Sequence, residues 1–278
     1  MNQVTSQVIS KDGTPIVFDR TGDGPPLITV LGATATRAAV APTPEVAPEV
    51  DLGNHFTVYV YDRRGRGDSG DTAPYAVERE IEDLEAVIDA AGGSAFVVGH
   101  SSGAVLALRA AGKLGDKIKK LALYEPPFII DDSRPSLPED YVDQLRAYIA
   151  AGRPADALKY FMRVAVNIPE EYLAEAETWP TWASAVAAAH TISYDGEIMG
   201  DTMSGNPAAL EQFATIATPT LVMDGSESPP FMHNATETLA KILPNAQHRR
   251  LAGQDHGAAP EALNPVLIEF LLGVVHDS

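Results

Sequence analysis

The chain has no cysteine among its 278 residues. That absence excludes disulfides, a thiolate nucleophile and zinc held by thiolates. Basic residues are scarce, 20 Lys and Arg against 38 Asp and Glu, for a formal charge of −18. Such a surface repels nucleic acid and anionic membrane, disfavours polyanionic substrates and fits a neutral ligand. No apolar run approaches the ~20 residues of a membrane span. The start, Met1-Asn2-Gln3-Val4-Thr5-Ser6, lacks a basic stretch followed by an apolar core, so no secretory signal is expected and a cytoplasmic address follows. Internal repeats and low-complexity tracts are missing too. Aromatics make up only 7%, and both tryptophans, Trp179 and Trp182, fall in one region.

What is present centres on Gly99-His100-Ser101-Ser102-Gly103. The apolar, β-rich Ala95-Phe96-Val97-Val98 precedes it, and helix formers from Ala104 to Ala111 follow. Strand, Gly-x-Ser-x-Gly, helix is the context in which a serine is lifted on a sharp, strained turn with its hydroxyl exposed. Gly99 and Gly103 let strand and helix approach, and the helix aims unpaired N–H groups at the same spot, where negative charge is tolerated. Ser101 is therefore the candidate nucleophile.

In chain order, residues 3–10 and 14–20 alternate around Lys11-Asp12-Gly13-Thr14, an antiparallel hairpin with an Asp-Gly turn. The apolar runs 26–31 and 56–61 do not alternate, as expected of strands covered on both faces of a parallel sheet. A helix is expected over 75–91, with Ile81, Leu84, Val87 and Ile88 on its buried side. Another strand spans 120–124. From about Pro126 to Ala217 strand-like runs vanish. Ser136 and Glu139, at capping-box spacing, are expected to open a helix, and a second helix follows Pro154. The β-α rhythm resumes with strand 219–223, helix 232–243 and strand 247–251. Pro265 is expected to start the last helix, with Asn264 as its N-cap.

This order resembles the α/β-hydrolase fold over nearly the whole chain. Asp62-Arg63-Arg64-Gly65-Arg66-Gly67-Asp68-Ser69 is similar to the Asp-x-Arg-Gly-x-Gly-x-Ser turn after the fourth strand of those enzymes. In that turn Arg66-Gly67-Asp68 is not read as an adhesion signal, nor Asn234-Ala235-Thr236 as a glycosylation site. The resemblance implies an α/β class: a mostly parallel central sheet with helices on both faces and a helical cap inserted after the sixth strand. Residues 1–126 and 218–278 would form the core and 127–217 the cap.

A serine hydroxyl needs a base within reach. In this fold the order is nucleophile, acid, histidine, with the histidine after the last strand. His256, in Gly253-Gln254-Asp255-His256-Gly257, is the one of seven histidines in that position. The acid usually ends a Gly-x-x-Asp stretch after the seventh strand, but here the chain reads Gly225-Ser226-Glu227-Ser228. Glu125, Asp224 and Glu227 are the candidates. Glu125 is preferred because it ends the sixth strand, beside the strand carrying the serine, where zearalenone lactonases are similar in carrying a glutamate. The oxyanion hole is assigned to the backbone N–H groups of Ser102 and of Ala33, with Gly32 keeping the approach open. Gly32, His100, Trp179, Trp182, Phe231 and Met232 are candidate pocket walls, with Tyr160, Phe161 and Met162 nearby in the cap.

The expected function is an esterase or lactonase acting on a neutral, largely hydrophobic small molecule through an acyl-enzyme. It requires no metal, no organic cofactor, no nucleic acid and no membrane insertion. Two rivals stand beside it: a ligand receptor on the same scaffold, and a cofactor-free lyase or oxygenase using His256 as base.

Overall fold

A computed structural model describes residues 3–40 and 51–273. Eight strands form one sheet: β1 (Val4–Ile9), β2 (Pro15–Thr21), β3 (Pro26–Val30), β4 (Thr57–Tyr61), β5 (Ala95–His100), β6 (Ile118–Tyr124), β7 (Thr220–Gly225) and β8 (Ala246–Leu251). Their spatial order is β1-β2-β4-β3-β5-β6-β7-β8. The first hairpin pairs antiparallel and β2 joins β4 antiparallel; every pairing from β4 to β8 is parallel. The fold is that of an α/β hydrolase.

The absence of alternation in the central strands has a direct cause. Ile28, Val97, Leu121, Leu123 and Val222 enter a core on one face of the sheet, while Leu27, Val98, Ala122, Tyr124, Leu221 and Met223 enter a core on the other. Successive side chains point to opposite faces, and both faces are covered. The first face is covered by α1 (Val77–Ala90), α2 (Ser102–Leu114) and α8 (Pro230–Ile242), the second by α9 (Pro260–Leu272). Burying the Leu, Ile and Val side chains of such strands contributes about 1.5–3 kcal/mol each.

Between β6 and β7 lie α3 (Tyr141–Ala150), α4 (Pro154–Val164), α5 (Glu170–Glu175), α6 (Trp182–Ala187) and α7 (Ile192–Met199). Leu145, Leu158, Met162, Leu173 and Ile192 form a cluster of their own, with Trp179 and Trp182 against it. Phe128, Ile129, Ile130, Ile198, Met203, Leu210 and Phe213 instead join the main core.

Two helix starts differ from expectation. Ser136 and Glu139 open no helix: the N–H of Leu137 bonds to the carbonyl of Met203, the stretch runs without regular structure, and α3 begins only after Asp140. The last helix starts at Pro260, where a missing N–H leaves nothing unsatisfied, so Asn264 and Pro265 lie inside it.

Candidate active site

The loops at the carboxyl ends of the parallel strands converge at one edge of the sheet, the place where α/β sheets bind ligands. Ser101 follows β5 in a backbone conformation, φ 57° and ψ −130°, that a non-glycine residue adopts only when its surroundings enforce it. The enforcement is visible on both sides. A methyl group on Gly99 would stand 2.6 Å from Ala104 Cα, and one on Gly103 would stand 2.3 Å from the Val30 carbonyl oxygen. The Ser101 N–H donates to the Tyr124 carbonyl at 3.0 Å, tying the turn to β6.

Glu125, the next residue after β6, is fully buried and likewise has positive φ, 49°. Its Oε2 lies 2.7 Å from His256 Nδ1. Its Oε1 accepts from the Gly225 N–H at 2.8 Å and from the Ser228 hydroxyl. The serine standing where an aspartate was expected therefore hydrogen-bonds to Glu125. Burial alone would raise the Glu125 pKa, but the hydrogen bonds from His256, Gly225 and Ser228 outweigh it and hold the carboxyl below its ordinary value.

The other two carboxylates are elsewhere. Asp224 is buried and accepts from His233 Nδ1, His248 Nε2 and Arg250 Nε, and its carboxylate is taken up by these three groups. Glu227 is exposed and accepts from the Ser226 hydroxyl at 3.1 Å. The histidine loop is braced from below. The Tyr124 hydroxyl donates to the Asp255 carbonyl, and His100 Nε2 donates to the His256 carbonyl at 2.8 Å. Burial, reinforced by His256, lowers the His100 pKa to about 4, so this ring stays neutral. Gly225 is needed here because a side chain would meet the Gln254 carbonyl at 2.1 Å.

Ala33 and Ser102 border the same space as Ser101 and His256. The Ala33 N–H makes no hydrogen bond among the described residues, and Ser102 opens α2, where N–H groups have no intrahelical acceptor. Gly32 is close-packed, its Cβ position 3.0 Å from Ser101 Cβ. Both donor segments are anchored by charge. The Ser102 hydroxyl donates to Asp195 Oδ1 at 2.7 Å, and Asp195 also pairs with Arg63 and Arg66 at 2.8 and 2.7 Å. Arg66 donates to the Gly32 carbonyl at 2.7 Å, and Arg63 pairs with Glu80. Burial opposes the charge on Asp195, yet the two guanidinium groups keep its pKa low.

The cavity of about 210 Å³ above Ser101 lies below the ~300–1,000 Å³ of drug-sized ligand sites and suits a small substrate. Phe231, Met232 and Phe161 line it with Leu137, Met199 and Met203. Gly32, His100, Trp179 and Trp182 do not line it. His100 lies under the histidine loop, and the two indoles turn to the cluster of α3–α6, Trp182 beneath the Lys159 ammonium at 5.7 Å. Tyr160 stacks on Tyr141, and Met162 is buried in the same cluster. Asp195 and Arg134 also border the cavity, and no local sequence pattern marks either. A larger groove between α1 and α2 contains none of these site residues. Among the described residues no cluster of His, Asp and Glu could hold a metal ion, and no helix is long and apolar enough to cross a membrane.

Comparison with known proteins bears on the same site. A family model described as "Alpha/beta hydrolase family" matches residues 32–266. The crystal structure of an alpha/beta hydrolase from Sphaerobacter thermophilus superposes with a TM-score of 0.86 at 52% identity, covering 96% of this chain and 100% of that one. An enol-lactonase from Burkholderia xenovorans superposes at 0.69 with 20% identity over 96% of this chain and 100% of its own, a likeness of fold alone. N-formylmaleamate deformylase from Pseudomonas putida is 35% identical over 115 residues, 40% of this chain and 42% of that protein. The chain thus spans about two fifths of the length of the curated relatives it matches.

Proposed function

The chain belongs to the alpha/beta hydrolase family, and from that premise we propose that it is a serine hydrolase cleaving small, largely hydrophobic esters or lactones through an acyl-enzyme. One observation carries the reading: a buried carboxylate holds His256 by Nδ1, beside a serine on a strained elbow in the same cavity. With Nδ1–H given to Glu125, the lone pair of the neutral imidazole is on Nε2, the atom required for a base. His256 takes the Ser101 proton as Oγ bonds to the substrate carbonyl carbon. The N–H groups of Ala33 and Ser102 hold the resulting oxyanion. The intermediate collapses, the ester C–O bond breaks, and the alkoxide leaves with the proton from His256. Water then repeats the sequence on the acyl-serine.

Gly32 keeps the approach to Ser101 open and His100 positions the histidine loop. The helices within 127–217 act as the cap, with Phe161 closing the cavity from one side and Phe231 and Met232 from α8. The partial match to a deformylase favours a second reading, cleavage of an N-acyl bond by the same residues. A panel of p-nitrophenyl esters and N-formyl amides, assayed on wild type and Ser101→Ala, tests both. Ester hydrolysis lost with the serine supports the proposal. Wild-type hydrolysis retained by Ser101→Ala refutes the serine mechanism. Cleavage of formyl amides alone moves the substrate class.

A further inference from the structure

Arg134 borders the cavity that contains Ser101 and, among the described residues, is the one Lys or Arg to do so. It differs from the buried arginines of the core. Arg63 meets Glu80 and Asp195, Arg64 meets Asp12 and Asp83, and Arg66 meets Asp195. Arg134 meets no carboxylate among the described residues. Nη1 donates to the Ala165 carbonyl at 3.0 Å and Nη2 to the Val164 carbonyl at 3.1 Å, at the C-terminal end of α4. The guanidinium lies 4.8 Å from the centre of the Phe231 ring. Its Nε is buried and has no partner among the described residues. Holding the end of α4 uses two of the five N–H groups of the guanidinium and supplies the partial negative charge of a helix C-terminus but no carboxylate.

The charges around it do not compensate. Asp131 accepts from Ser133 and Asn234. The two carboxylates that border the cavity have partners of their own: Asp195 is held by Arg63, Arg66 and Ser102, and Glu125 by His256, Gly225 and Ser228. Leu137, Phe161, Met199, Met203 and Phe231 make the remainder largely apolar. Burial lowers the Arg134 pKa, with no opposing carboxylate to restore it. A half-buried cation beside an apolar, substrate-sized cavity, with no carboxylate among the described residues to balance it, is a site for an anion, and the Nη hydrogens not given to α4 can be given to a carboxylate.

We propose that Arg134 receives a carboxylate of the substrate, so that the ester or lactone opened at Ser101 belongs to an acid-bearing molecule. This rests on the serine-hydrolase reading above and narrows it. The neutral ligand expected from the overall charge of −18 gives way, at this one cavity, to a monoanion. The acidic exterior still disfavours polyanions.

The test uses two esters of matched length, p-nitrophenyl valerate and mono-p-nitrophenyl glutarate, on wild type, Arg134→Gln and Arg134→Lys. The readout is the ratio of kcat/KM for the charged ester to that for the neutral one. A single charge-assisted contact predicts a ratio at least ~10-fold higher in wild type than in Arg134→Gln, with Arg134→Lys between them. An equal ratio in wild type and Arg134→Gln overturns the proposal. Binding of glutarate, measured by calorimetry on Ser101→Ala with and without Arg134→Gln, reads the same contact without chemistry. Glutarate bound by Ser101→Ala and lost with Arg134→Gln supports the assignment even if neither ester is hydrolysed, an outcome that would sink only the serine-hydrolase reading. Failure of Ser101→Ala to bind glutarate overturns the assignment of Arg134.

Discussion

Glu125→Gln is a nearly isosteric change whose effect follows from who donates to whom. The Gly225 N–H and the Ser228 hydroxyl both point at Oε1. A backbone N–H can only donate, so it selects the amide oxygen of the glutamine for that position. The amide NH2 is thereby aimed at His256 Nδ1, 2.7 Å from the atom it replaces. The imidazole must then accept at Nδ1 and carry its proton on Nε2, which leaves no lone pair for the Ser101 hydroxyl. Imposing the wrong tautomer on a triad histidine with geometry intact costs about 10⁴ in kcat, or ~5 kcal/mol. The assay is hydrolysis of a p-nitrophenyl ester at about pH 7 on wild type, Glu125→Gln and Asp224→Asn. The expected result is a fall of roughly 10³–10⁴ in kcat for Glu125→Gln, with KM little changed. Asp224→Asn, whose carboxylate bonds His233, His248 and Arg250 instead, stays within about threefold. Near-wild-type kcat for Glu125→Gln, or the large loss in Asp224→Asn instead, refutes the reasoning.

Three further outcomes follow from other parts of the molecule. Gly103→Ala places a methyl group 2.3 and 2.5 Å from the carbonyl oxygens of Val30 and Leu31; backbone cannot yield, and urea unfolding should show a loss of about 1–3 kcal/mol or more. Asp195→Ala strips the counter-charge from Arg66 and one of two from Arg63, both fully buried, and should destabilise by about 3–5 kcal/mol in the same assay. Glu125 and Asp224 are both held below their ordinary pKa values, 4.5 and 3.8. A depressed carboxyl contributes stability that is present above the ordinary value and lost as pH falls through the folded one. Denaturation midpoints should therefore drop below about pH 4.5, and the drop should be shallower in Asp224→Asn; an unchanged acid slope in that variant contradicts the assignment.

Features encoded within a few residues were legible from the sequence. The alternating hairpin, the apolar central strands and the elbow each follow from local pattern, because period and glycine placement act locally. The empty acid position at Ser228 was legible as a gap, and Glu125 as a candidate because β6 adjoins β5. What the sequence could not convey is that the Ser228 hydroxyl itself grips Glu125. Features set by distant contact were not legible. Asp195 meets Ser102 across 93 positions, and Arg134 is held at the cavity by carbonyls 30 and 31 positions away. The tryptophans were misplaced for a related reason. An amphipathic pattern says that one helix face is covered, but not whether a cavity or a neighbouring helix covers it; here α3 and α4 do. Pro265 misled because a proline in a helix interior is costly, whereas Pro260 offered a better start five residues earlier.

The most direct test of the serine mechanism is active-site labelling with an alkyl fluorophosphonate, which phosphonylates an activated serine by expelling fluoride. Intact-mass and peptide mapping should show one adduct per chain, on Ser101, formed in step with loss of ester hydrolysis and absent in Ser101→Ala. An adduct on another residue, or ester hydrolysis undiminished once Ser101 is fully labelled, would contradict the account.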